Sequence, residues 1–161
     1  MAVYIDTNMS TLKTTPATQA SLAEHLAGFP DVLQQLDLAY TAAWDAVDPT
    51  ILELCRLRIA SMLGAAGEFA HRSAQAPIDE TKIQALSQWP LSPLFNEAER
   101  ACLGFAEQFV IDVAGLDDAT AVRVGESLGQ QELANFVSAL LVIEQRIRIS
   151  LAWQTIFGGS Q

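Results

Sequence analysis

The chain reads as an all-α protein, a single helical bundle, and three observations carry that expectation. Apolar residues recur at helical spacing in several separate stretches, for example Val32, Leu36, Tyr40 and Ala43, or Leu103, Ala106 and Val110. Helix start and stop signals bracket those stretches: Asp48 before Pro49 and Asn96 before Glu97 and Glu99, with Gly28, Gly115 and Gly129 behind others. No segment alternates apolar and polar residues between hairpin turns, and no repeat of short period is visible. About seven helices are expected. Residues 1–17 form a Thr-rich arm, 18–157 one helical domain and 158–161 a flexible tail.

In order, a short helix over 21–27 stops at Gly28 and Pro30, and an amphipathic helix follows over 31–46. The next stretch, 50–73, reads as one long helix with no charge between Ile59 and Gly67, so it belongs inside the bundle. Pro77 and Asp79 open a helix that runs to about Gln88. The connection WPLSPLF, residues 89–95, is irregular because of Pro90 and Pro93. Its Trp89, Leu91 and Phe95 are expected to pack down over other helices and to roof a pocket or close the core. Asn96 caps a helix to about Val113, Asp117 or Asp118 starts another to Leu128, and 131–157 is the last. The helices 50–73 and 131–157, apolar in the middle, are expected to pack together at the centre.

Half of the 161 residues are apolar and only 17% are charged, so the core is large or apolar surface is shared between subunits. A homo-oligomer is therefore expected. The net charge of −10 repels phosphate backbones and anionic lipid, which argues against nucleic-acid and membrane partners. No uncharged run approaches the ~20 residues that span a bilayer, and the first residues lack the basic start of an export signal. Two isolated cysteines, Cys55 and Cys102, fit a reducing compartment, so a cytoplasmic protein is expected.

The chemistry concentrates at the end of the 50–73 stretch. At ~100° per residue, Glu53, Ala60, Gly64 and His71 fall on one line of a continuous helix, with Glu68 and Arg72 to one side. Glu68 and His71 sit on adjoining turns and offer an acid/base pair, while Glu68 and Arg72 have the spacing of an ordinary ion pair; both readings stand. The glycines of Gly64-Ala-Ala-Gly67 suggest close approach of another helix or a ligand. Arg146 or Arg148 could hold an anionic substrate, or pair with Glu53 or a neighbouring subunit. Two distant histidines make no metal pattern, and nothing in the chain calls for a cofactor.

Three stretches, DPTILELCRLRIASMLGAAGEFAHR, SPLFNEAERACLGFAEQFV and ELANFVSALLVIEQRIRISLA, resemble the carboxymuconolactone decarboxylase and alkylhydroperoxidase D superfamily over roughly residues 30–155. The resemblance implies an all-helical fold that assembles into dimers, trimers or hexamers, with sites near subunit interfaces. The peroxidase branch carries two cysteines two residues apart and then a histidine. Counting from Glu53 puts Ala65, Glu68 and Arg72 there; anchoring on His71 puts Gly64 and Gly67 at the thiol positions. Both thiols are missing, which argues against a disulfide-cycling peroxidase.

Gly67-Glu-Phe-Ala-His71 is similar to the decarboxylase branch, which often has Glu at the second cysteine position. It implies a non-redox acid/base enzyme acting on a small organic acid or lactone by decarboxylation or isomerisation. Glu68 and His71 would be catalytic, Arg72 or Arg146 substrate-binding, and Glu53, Gly64 and Gly67 supporting. The alternatives are a peroxidase and a non-catalytic oligomeric module that binds an apolar ligand.

Overall fold

The computed structural model describes residues 16–157, with side chains from residue 21 onward; the expected arm lies mostly, and the tail wholly, outside the described residues. Those residues form eight α-helices and no strand. The helices are α1 (Pro16–His25), α2 (Pro30–Ala46), α3 (Pro49–Met62), α4 (Ala66–Ala70), α5 (Glu80–Gln84), α6 (Glu97–Ile111), α7 (Asp118–Leu128) and α8 (Gln130–Phe157). The all-α expectation holds. None of these helices is long and apolar enough to cross a membrane.

Local chemistry explains most boundaries. Asp48 accepts hydrogen bonds from the N–H groups of Thr50 and Ile51 at 2.9 and 3.1 Å, and Pro49 occupies the first turn of α3. Asn96 and Glu99 form a reciprocal capping box on α6, each side chain accepting the other's backbone N–H at 2.9 Å. Asp117 caps α7 through the Thr120 N–H at 2.7 Å.

The continuous helix expected over 50–73 is not one helix. Gly64 stands at φ +71°, the left-handed region that favours glycine. The Ala65 N–H donates to the Ala60 carbonyl at 2.8 Å and the Gly64 N–H to the Ser61 carbonyl at 3.3 Å, the paired bonds of a Schellman stop. The chain then restarts as α4. Gly64 thus serves a turn rather than the close approach inferred from sequence, since a Cβ there would meet nothing within 4 Å. This break accounts for eight helices instead of seven.

Smaller differences follow the same local rules. The helix expected over 21–27 runs from Pro16 to His25. The one expected to reach Gln88 is the short α5, continued by a 3-10 turn over Ala85–Gln88. In the 89–95 loop Phe95 is buried and Trp89 half-buried, but Leu91 is 89% exposed, so it does not pack down.

α3 lies at the centre and is buried on nearly every side from Ile51 to Ala60, with only Arg58 half-exposed. α8 contacts α3 as expected, but its most extensive packing is against α2, while α3 packs chiefly on α6. Leu52, Leu57, Leu103, Phe136, Leu140 and Ile143 are among the residues of this core. Phe136 meets Phe105 edge-on at 5.7 Å.

Candidate functional site

The densest buried chemistry surrounds Arg56, which is 1% exposed. Its Nε donates to Glu53 Oε2 at 2.7 Å and its Nη2 to Glu53 Oε1 at 2.8 Å, a bidentate fork within α3. The same guanidinium donates from Nη1 to the Glu68 carbonyl at 2.7 Å and from Nη2 to the His71 carbonyl at 2.9 Å. Glu68 Oε2 is 3.5 Å from Nη1, and the Ser73 N–H donates to Glu53 Oε1 at 3.0 Å. One side chain of α3 therefore clamps α4 and the segment after it. Burial alone would lower the Arg56 pKa, but the hydrogen bond and charge of Glu53 outweigh it and the group stays charged.

Glu68 is 5% exposed and stands in the first turn of α4. With Ala65, Ala66 and Gly67 it lines a notch closed by Ile147, Ser150, Leu151 and Gln154 of α8. The notch measures about 30 Å³, room for about two water molecules. Tyr40 of α2 sits in the combined field of Arg56, Glu68 and Arg146, and burial raises its phenol pKa so that it stays neutral. Its ring lies 4.5 Å beneath the Arg146 guanidinium.

The structure brings together some of the expected residues and separates others. Glu53 and Glu68 share Arg56, a residue the sequence reading passed over. The expected Glu68–Arg72 ion pair does not form, because the backbone leaves α4 at Ala70 and Arg72 turns out to Glu80, at 3.2 Å. His71 follows the helix in extended conformation, half-exposed; burial lowers its pKa, and the charge of Arg56 lowers it further. Gly67 is exposed at the rim of the notch. Arg146 is 5% exposed and pairs with Asp37 at 2.8 Å instead of Glu53, while Arg148 pairs with Glu144 at 2.8 Å.

A signal for Arg56 was present. Glu53 and Arg56, three apart among the otherwise apolar residues 51–57, had to pair with each other to enter a core. Tyr40 gave no such signal, being one more large residue on an apolar stripe.

Both cysteines are buried. Burial, and then the neighbouring Cys102, pushes the Cys55 thiol well up; burial, and then Glu99, pushes Cys102 up to about 12. Neither supplies a thiolate at neutral pH.

Comparison with known protein families and with curated proteins returned no match to the chain.

Proposed function

We propose that this chain is a carboxymuconolactone decarboxylase-like protein that performs non-redox acid/base chemistry on a small organic acid or lactone. Glu68 carries the proton, and a second copy of the chain completes the site. The observation that supports this reading is Glu68 itself. A carboxylate 5% exposed, held beside a fixed guanidinium at 3.5 Å, opens on a notch that also presents Ser150 and Gln154. His71, neutral at pH 7 because its pKa is lowered, can accept a proton nearby. Arg56 has its donors engaged with Glu53 and two carbonyls, so it positions Glu68 rather than gripping a substrate.

A notch of about 30 Å³ admits no substrate by itself, so the reading rests on an oligomer. An apolar strip supports assembly: Ile111, Val113 and Leu141 are each more than half exposed along a groove of about 750 Å³ between the end of α6 and α8. Buried, unpaired thiols fit a reducing compartment such as the cytoplasm.

The test is turnover of a panel of small carboxylates and lactones by the wild type and by Glu68→Gln. General acid/base catalysis predicts a loss of about 10²–10⁴-fold in the variant. If both proteins are equally inert, the acid/base reading fails. Sedimentation near the 17.4 kDa chain mass would remove the oligomer on which it rests.

The small notch also favours a second reading, an oligomeric module of the same fold that binds an apolar ligand without chemistry. Saturable binding of apolar probes with no turnover selects it. A peroxidase is disfavoured by the two raised thiols, and stoichiometric peroxide is expected to leave both titratable.

A further inference from the structure

The arginines of this acidic protein are engaged almost everywhere. Arg56, Arg58, Arg72, Arg146 and Arg148 each have a carboxylate within 3.5 Å, and Arg100 donates to the backbone carbonyls of Pro90, Ser92 and Phe95. Arg123 is the exception among the described residues. Its one hydrogen bond runs from Nη2 to Thr120 Oγ1 at 2.8 Å, and it reaches no carboxylate or carbonyl. Asp117 feels the charge of Arg123, but the hydrogen bonds from Thr120 act on the Asp117 carboxylate more strongly.

Arg123 lines a cavity of about 460 Å³ between α6 and α7, within the size range of small-molecule sites. Two carboxylates of the same cavity, Glu97 and Glu126, form no ion pair or hydrogen bond among the described residues. The remaining wall is flat and rigid. Trp89 donates its indole N–H to Glu107 Oε1 at 2.7 Å, and Arg58 Nε donates to the same oxygen at 2.6 Å. Gly104 faces the indole, where a Cβ would already touch its edge at 3.4 Å. Arg100 ties down the loop that carries the rim.

We propose that this cavity binds a small zwitterion, an α-amino acid with a flat apolar side chain. The ligand carboxylate takes the donors of Arg123 that Thr120 leaves free, a planar set that matches it in pairs. Its ammonium lies between Glu97 and Glu126, and its side chain covers the Trp89 face beside Ala101 and Gly104. A simple anion would meet two unpaired carboxylates there, and a simple cation would meet two arginines. Only a molecule carrying both charges satisfies the set. The site shares no lining residue with the Glu68 notch and stands independently of the acid/base reading.

The test titrates the full chain with L-phenylalanine and L-tryptophan, following the Trp89 indole N–H resonance, assigned through its loss in Trp89→Phe, and the heat of binding. Phenethylamine and 3-phenylpropionate, each lacking one charge, are titrated alongside. The amino acids are expected to shift the Trp89 resonance saturably, and each analogue to bind at least about tenfold more weakly. Arg123→Gln, an exposed substitution, should weaken the amino acids about tenfold and leave phenethylamine unchanged; Glu126→Gln should weaken phenethylamine and leave 3-phenylpropionate no weaker. Absence of saturation by about 10 mM overturns the proposal, since a specific site of this size binds more tightly than that. Binding that ignores Arg123→Gln, or analogues as tight as the amino acids, overturns it too, and the charges of α7 are then a solvated face.

Discussion

The Glu68 notch and the α6–α7 cavity use the same residue types to opposite ends. At the notch two carboxylates and one guanidinium are buried, and Arg56 is bonded to both Glu53 oxygens and to two carbonyls. In the cavity the charges are exposed, and Arg123, Glu97 and Glu126 find no ionic partner among the described residues. The difference follows from desolvation. A charge taken out of water must be matched on the spot, so a buried cluster becomes a fastening. A charge left at a water-filled rim carries no such demand and keeps its valence for something that arrives. In this protein the residues with the most elaborate hydrogen bonding hold shape, and the plainest arginine is the one open to a ligand.

The largest effect should come from breaking the fastening. Arg56→Met leaves Glu53 buried without its cation and removes the guanidinium beside Glu68, and a loss of about 3–5 kcal/mol in denaturant unfolding is expected. Adding Glu53→Leu should return a large part of it, because the carboxylate stranded most deeply is then gone. Arg123→Met, at the open cavity, should stay within about 0.5 kcal/mol of wild type. Similar losses at the two arginines would erase the contrast.

Two glycines sharpen it further. Gly64→Ala forces a side chain into the left-handed turn that sets α4 against Arg56, and about 1–2 kcal/mol of stability should be lost. Gly104→Ala sits within α6, where the added methyl meets Trp89 at ordinary contact distance. Helix propensity favours it by up to about 1 kcal/mol, so thermal unfolding should be unchanged or slightly raised. A destabilised Gly104→Ala would mean that the indole wall is tighter than its geometry implies.

The smallest effect concerns pH. Burial, then Arg56, holds the His71 pKa below its ordinary value, so the unfolded chain binds the proton more readily. This contribution to stability is complete above about pH 6.5 and falls away as pH drops through the lowered value. His71→Asn keeps the carbonyl that Arg56 uses, and should show a flatter decline of stability below pH 6.5. An unchanged slope would detach the imidazole from the cluster's field.

The residue order by itself determined the helical class, most helix starts and the existence of a central buried helix. Those depend on neighbours within a turn or two: Asp48 before Pro49, Asn96 with Glu99, and apolar spacing along 51–60. Even the break at Gly64 was written locally, in a Gly-Ala-Ala-Gly run read as packing when it was a stop signal. Partnerships across the chain were another matter. A sequence wheel drawn through 50–73 pairs Glu68 with Arg72 only if the helix continues; the left-handed turn swings Glu68 back to Arg56, and the end of α4 at Ala70 frees Arg72 for Glu80. Arg146 found Asp37 and Tyr40 because α8 packs on α2, more than a hundred positions away. Local hydrogen bonds and propensities are set by sequence separation and can be read in order; which charge meets which depends on how the helices cross, and only the folded packing decides that.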